Sequence, residues 1–168
     1  MHWLLLLQKR AAKMNTNSSI IEILRQRKET IAVAESVTGG EIAAKISEVP
    51  GASEVFLGGV VAYSVESKIR DLNVAKKSIE EFGVYSEVVA TEMAQGVRSR
   101  FDSDWAIGIS GVAGPGSDGK VAPGSIWIAI VGPVGVQNLQ LSLTGTRQQI
   151  RDGAVTSALA TLERILTL

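Results

Sequence analysis

The stretch TIAVAESVTGG, Thr30 to Gly40, decides how the chain is interpreted. Its first part, TIAVAE, is mostly apolar and partly β-branched, which predicts a short buried strand. The segment that begins at the paired glycines, GGEIAAKISEV, has apolar residues at helical spacing. The stretch therefore predicts a strand, a turn and a helix, and it places Ser36 at the junction between strand and helix.

The rest of the chain continues this alternation of strands and helices. Ser19 and Glu22 form a capping box that predicts a helix over SIIEILRQRK. The turn GPVG predicts an antiparallel hairpin between the last two strands. The predicted strands are TIAVAE, VFLGGVVAYS, WAIGIS, SIWIAIV and VQNLQLSL, and the apolar character of the second predicts that it is buried. The later predicted helices lie at 39–49, 66–72, 76–82, 86–101 and 146–165. This order predicts a three-layer α/β/α domain with a mixed, largely parallel sheet and a C-terminal hairpin and helix.

Composition excludes several classes of function. With 168 residues and 45% hydrophobic content, the chain fits one globular domain with a substantial core. Lys and Arg together number 17, as do Asp and Glu, so the balanced charge gives no indication of a nucleic-acid partner. Cysteine is absent, which excludes disulfides and thiolate nucleophiles and suits a cytoplasmic protein. The single histidine, His2, lies at the very start of the chain, which argues against a Ser-His-Asp triad.

The N-terminal residues 1–18 are interpreted as a disordered or tag-like extension ahead of a domain at 19–168. The apolar run from Trp3 to Leu7 is too short to span a membrane, and the basic residues follow it, whereas a signal peptide has them first. A natural start at Met14 fits this interpretation. An amphipathic membrane-surface anchor is the alternative.

Ser36 has two interpretations. At the end of a strand and the beginning of a helix, its hydroxyl would lie near free helix N–H groups that stabilise an anion, as an acyl-transfer nucleophile requires. Alternatively, Ser36 or Thr38 is only the N-cap of the helix. A nucleophile needs a base, and AYSVESK offers Tyr63 and Lys68, since a buried lysine can be neutral and accept a proton. Without such a role, Lys68 would be a solvated helix residue and Tyr63 an aromatic at the edge of the core.

The glycine-rich segment from Gly108 to Ser125 is the second candidate site. It nearly matches a P-loop, but Val121 replaces the required Ser or Thr and a strand follows, so a nucleoside triphosphatase is excluded. Its unobstructed backbone N–H groups can still hold a phosphate or a carboxylate. The alternative is a surface loop without chemistry.

Four motifs in order, AESVTGG, VPGASEVFLGGVVAYSVESKIRDL, GVAGPG and TGTRQQIRDGA, resemble the CinA C-terminal domain family, the bacterial nicotinamide mononucleotide deamidases. The resemblance covers about 19–166. Longer members carry an additional N-terminal domain, so this chain is similar to the stand-alone form. The chain departs from the usual pattern at Val37, Ser110 and Ser117, where many members have cysteine, threonine and glycine, and the last two departures could alter how the substrate is held.

The resemblance implies hydrolysis of nicotinamide mononucleotide to nicotinate mononucleotide and ammonia, in pyridine nucleotide recycling. It implies Ser36, Tyr63 and Lys68 as the catalytic set, with no metal and no cofactor. We also expect a homo-oligomer without nucleic-acid or membrane partners. The expected substrate-binding residues are Thr38, Gly39, Gly40, Ser110, Gly111, Ala113, Gly114, Gly116, Thr144 and Arg147.

Several roles remain open at the level of sequence. Either Lys68 or Tyr63 is the immediate base, and the backbone N–H groups from Thr38 to Gly40 are expected to hold the oxyanion. Arg147, at the start of the last helix, is expected to bind the phosphate of the substrate together with 111–116. The alternative for Arg147 is a surface residue paired with solvent or a carboxylate. For the whole protein, the alternatives are a nucleotide-binding or regulatory module with little catalysis and an amidohydrolase for a different amide.

Overall fold

A computed structural model describes residues 15–168 as one five-stranded sheet with helices on both faces. The helices are α1 (Thr16–Arg27), α2 (Glu41–Ser47), α3 (Val65–Leu72), α4 (Lys76–Phe82), α5 (Glu87–Phe101) and α6 (Arg147–Leu166). The strands are β1 (Ile31–Glu35), β2 (Phe56–Val61), β3 (Trp105–Gly111), β4 (Ser125–Gly132) and β5 (Gly135–Ser142). A single 3₁₀ turn, Ala52–Glu54, precedes β2.

The sheet is mixed, and its strand order is β2-β1-β3-β4-β5. Strand β1 pairs in parallel with both β2 and β3, whereas β4 is antiparallel to β3 and to β5. The predicted three-layer α/β/α fold with a mixed sheet and a C-terminal hairpin is therefore confirmed.

Side-chain size differs between the two faces of the sheet. In β1, Ile31 and Val33 face the core shared with α1, α2 and α6, whereas Ala32 and Ala34 face the core shared with α5. The small residues allow α5 to lie close to the strands. A Cβ at Gly108 of β3 would come within 2.2 Å of the Ala90 carbonyl oxygen, so this contact requires glycine.

Two predictions about individual elements are wrong. Helix α1 begins at Thr16, because the Asn15 side chain caps it by accepting from the Ser18 amide at 2.9 Å, so Ser19 is not its N-cap. The last residues of the predicted extension 1–18 thus belong to this cap and helix, and residues 1–14 lie outside the described chain. Strand β2 is not fully buried, because it is an edge strand with alternating half-buried and exposed residues.

The final helix follows its prediction closely. Thr146 caps α6 in a reciprocal capping box with Gln149. The residues predicted to lie on its buried face, Ile150, Ala154, Ala158, Leu162 and Ile165, are all buried. None of the helices between residues 15 and 168 combines the length and the apolar character that a membrane crossing requires.

Candidate active site

The Ser36 turn, residues 36–40, connects β1 to α2 at the carboxyl end of the parallel strands. Gly39 and Gly40 have φ of 60° and 103°, and the Gly39 N–H donates to the Ser36 carbonyl at 3.0 Å. These positive φ values favour glycine and reverse the chain within a few residues. The N-cap position of α2 is Gly40, which has no side chain of its own, so the interpretation of Ser36 or Thr38 as the N-cap is wrong.

The buried Glu35 carboxylate binds the beginning of α2. It accepts hydrogen bonds from the Ile42 N–H at 2.9 Å, from the Ala43 N–H at 3.0 Å and from the Thr38 hydroxyl at 2.6 Å. These two helix N–H groups are therefore not free for a substrate anion, contrary to the expectation for this terminus. The sequence analysis does not predict this role, although a carboxylate at the end of an otherwise apolar strand is a signal for it.

Lys68 contacts Ser36 directly. Its Nζ donates to the Ser36 Oγ at 2.9 Å and to the Ala62 carbonyl at 2.8 Å, and the two side chains are buried. Burial lowers the pKa of Lys68 to about 8, because a low-dielectric surrounding disfavours the ammonium. A lysine in this state is neutral often enough near physiological pH to take a proton from a serine.

Local sequence explains how Lys68 reaches the interior. Ser64 caps α3 in a reciprocal capping box with Ser67, which fixes the beginning of the helix. Lys68 and Leu72, four residues apart on one helix face, both point inward. Only residues 62–64 separate α3 from β2, and Lys68 on this face meets the Ser36 turn.

Tyr63 lies at the rim of the site. Its side chain is among the exposed aromatic groups, and its hydroxyl accepts a hydrogen bond from the Arg147 Nη2 at 2.9 Å. Arg147 also donates from Nη1 to the Gly114 carbonyl at 2.7 Å, which joins the start of α6 to the glycine-rich segment. Among residues 15–168, no hydrogen bond joins Tyr63 to Ser36 or to Lys68.

A pocket of about 340 Å³ brings most of these groups together. The predicted site residues that line it are Ser36, Tyr63, Lys68, Gly111, Ala113, Gly114, Gly116 and Arg147. The lining is completed by four valines, Val37, Val65, Val84 and Val112, and by Tyr85 and Asp118. The sequence analysis does not predict Tyr85 or Asp118 as site residues. A larger cavity of about 590 Å³ between α1, α2 and α6 contains neither Ser36 nor Lys68.

Five predicted binding residues lie outside this lining. The Thr38 hydroxyl is bonded to Glu35, and Gly39 and Gly40 form the turn behind Ser36. The buried Ser110 donates its hydroxyl to the Val84 carbonyl at 3.0 Å, and Thr144 is exposed in the loop before α6. Ser110 thus supports a wall of the pocket.

Fold and site together define a three-layer α/β/α domain with a buried serine–lysine pair at the end of its first strand. The chain belongs to the CinA C-terminal domain family, whose sequence pattern matches residues 13–166. It is 41% identical over 146 residues to a CinA-like protein of Fervidobacterium nodosum, covering 86% of this chain and 36% of that protein. A CinA-like protein of Prochlorococcus marinus is 42% identical over 152 residues, with 89% and 35% covered.

The chain thus spans about a third of the length of these curated relatives. Solved structures of similar size also match. A competence-damaged protein (CinA) superfamily protein from Klebsiella pneumoniae superposes with a TM-score of 0.87 at 29% identity, covering 92% of this chain and 99% of that one. A competence/damage inducible protein from Agrobacterium tumefaciens gives a TM-score of 0.80 at 29% identity, with 89% and 96% covered.

Proposed function

We propose that this protein hydrolyses the carboxamide of nicotinamide mononucleotide to nicotinate mononucleotide and ammonia. The observation that carries the proposal is the 2.9 Å contact between the buried Lys68 Nζ and the Ser36 Oγ. This pair supplies a nucleophile and a base without histidine, cysteine or metal. Membership in the CinA C-terminal domain family supports the choice of substrate.

In the proposed reaction, the Ser36 Oγ attacks the carboxamide carbon while neutral Lys68 takes the hydroxyl proton. The tetrahedral intermediate collapses when the Lys68 ammonium returns that proton to the nitrogen, and ammonia leaves. Water then attacks the acyl-enzyme ester, with Lys68 again as the base, and the carboxylate product is released. With a pKa of about 8, Lys68 is neutral in about a tenth of the molecules at pH 7.

Geometry favours Lys68 over Tyr63 as the immediate base. Lys68 bonds the serine directly, whereas the Tyr63 hydroxyl is bonded to Arg147 at the rim. A base must lie within hydrogen-bond reach of the proton that it removes. We therefore assign the proton transfer to Lys68 and a role in orienting substrate or Arg147 to Tyr63.

Backbone N–H groups are proposed to hold the oxyanion and the phosphate. In the Ser36 turn, the Gly39 N–H donates to the Ser36 carbonyl, while the Thr38 N–H has no partner among residues 15–168. In the glycine-rich segment, the N–H groups of Ala113, Gly114 and Gly116, which line the same pocket, likewise have no partner in that part of the chain. Arg147 lies beside them in the first turn of α6, where the helix dipole favours an anion.

An ammonia-release assay tests the proposal, with nicotinamide mononucleotide, nicotinamide and a simple aliphatic amide measured side by side. We expect ammonia only from the mononucleotide at a substantial rate. A regulatory module would release none from any of the three substrates. An amidohydrolase for a different amide would prefer one of the other two.

A further inference from the structure

The pocket contains one charged group that the proposed reaction does not use. Its charged lining residues are Lys68, Arg147 and Asp118. The first two are assigned to the proton transfer and to the phosphate, which leaves Asp118 without a role. Asp118 is also the only carboxylate among the lining residues described. A carboxylate accepts hydrogen bonds and does not donate them when ionised. Asp118 therefore fits a substrate group that donates.

The carboxylate is held in place by its surroundings. Asp118 and Val121 exchange two backbone hydrogen bonds of 3.0 Å, which close a tight turn within the glycine-rich segment. The Tyr85 hydroxyl donates to the Asp118 Oδ2, and the Oδ1 has no hydrogen-bond partner among residues 15–168. One oxygen is thus fixed by the protein, and the other remains available to a ligand.

The residues on either side of Tyr85 make hydrogen bonds that hold its loop. The loop that carries it, residues 83–86, is bound to β3 through the Ser110 hydroxyl, which donates to the Val84 carbonyl at 3.0 Å. Within the loop, the Ser86 hydroxyl donates to the Gly83 carbonyl at 2.8 Å. Asp118 and Tyr85 therefore form a wall whose geometry is set before any ligand binds, which lowers the entropic cost of binding.

We propose that Asp118, held by Tyr85, binds the ribose hydroxyls of the substrate. This inference rests on the proposed function, because the carboxamide must lie at Ser36 and the phosphate at Arg147, which leaves the ribose diol as the remaining donor. Carboxylates bind ribose hydroxyls in this way in dinucleotide-binding folds. The alternative ligand of Asp118 is the positively charged pyridinium ring. Because Asp118 already accepts a hydrogen bond from the Tyr85 hydroxyl, it is placed as a hydrogen-bond acceptor for hydroxyl groups, which favours the diol.

The test measures binding by calorimetry in a Ser36→Ala background, so that the ligand is not consumed. The probes are nicotinamide mononucleotide and its 2′,3′-dideoxy analogue, which keeps the ring charge and the phosphate. Asp118→Asn should weaken binding of the mononucleotide by about tenfold to a hundredfold, as expected for lost hydrogen bonds to a charged group, and should leave the dideoxy analogue unchanged. Tyr85→Phe should weaken the mononucleotide less. Glu81→Gln, an exposed change on α4 outside the pocket, should affect neither ligand.

Equal weakening of both ligands by Asp118→Asn would overturn the proposal in favour of the ring charge, and no weakening of either would remove Asp118 from recognition. Ammonia release by the unmutated chain, measured beside the titrations, separates the two proposals. If the mononucleotide binds with the predicted ribose dependence but yields no ammonia, the deamidase function fails and the ribose subsite stands. If ammonia is released and Asp118→Asn binds as tightly as its parent, the subsite fails and the function stands. Absence of binding overturns both.

Discussion

The burial of Lys68 predicts the pH dependence of the proposed reaction. If the neutral amine takes the serine proton, kcat/KM for nicotinamide mononucleotide follows the fraction of Lys68 that is deprotonated in the free enzyme. With a pKa of about 8, that fraction rises about fiftyfold between pH 6 and pH 8 and only about 1.3-fold between pH 8.5 and pH 10. A lysine at its ordinary pKa of 10.5 would instead give a rise of about 24-fold over the second interval.

Initial rates of ammonia release over this range measure the profile at low substrate concentration. Lys45→Met removes an exposed lysine of α2 and is the matched control, because its profile should follow that of the unmutated chain. Lys68→Met should lower the rate by a hundredfold or more, in keeping with the loss of a general base. A profile that still rises steeply above pH 8.5, or a Lys68→Met variant of full activity, would refute the assignment of Lys68.

Three further predictions concern stability and binding. Between pH 8 and 10.5, the unfolded chain binds more protons at Lys68 than the native chain does, so the native state becomes more stable as the pH rises. Denaturant titrations at pH 7 and pH 9.5 should show that the free energy of unfolding rises by about 2 kcal/mol more in the unmutated chain than in Lys68→Met. Glu35→Gln places an amide donor against an N–H group of α2 and should cost about 1–3 kcal/mol in the same titrations. Because Glu35 holds the turn that carries Ser36, we infer a positioning role for it, and the variant should lower kcat more than it raises KM. An unchanged kcat in the folded variant would contradict a positioning role for Glu35. Arg147→Ala should raise KM for the mononucleotide by about tenfold to a hundredfold and leave nicotinamide riboside unchanged, whereas Tyr63→Phe, which removes only the contact to Arg147, should give a smaller rise. Equal losses on both substrates would assign Arg147 to the scaffold.

Local signals made much of the fold predictable. The capping box at Thr146, the hairpin turn between β4 and β5, and the alternation of strands and helices depend on residues close together in sequence. Whether a strand lies at the edge of a sheet depends on distant segments of the chain. The apolar sequence VFLGGVVAYS predicts a buried strand, although β2 pairs only with β1 among the described strands. The start of α1 was misplaced because Asn15 and Ser19 are both good caps, and local preference does not choose between them.

The sequence indicates which residues form the candidate site better than it indicates their contacts. The absence of cysteine and the remote position of the single histidine leave Tyr63 and Lys68 as candidate bases, and Lys68 is 32 residues from Ser36 in sequence. The Arg147 contact to Tyr63 joins residues 84 apart, and no periodicity reports such a pairing. Glu35 was missed because its role depends on the backbone path of the turn, which brings two helix N–H groups back to the carboxylate.

The most direct test of the central claim compares ammonia release from nicotinamide mononucleotide by the unmutated chain and by Ser36→Ala. The substitution removes only the hydroxyl, and Ser36 does not cap α2, so the variant should remain folded, with far-ultraviolet circular dichroism and thermal unfolding close to those of the parent. We expect one ammonia for each nicotinate mononucleotide formed by the unmutated chain, and a rate lower by a thousandfold or more in the variant, as for the loss of a nucleophile. A folded Ser36→Ala protein that releases ammonia at the parental rate would contradict the account.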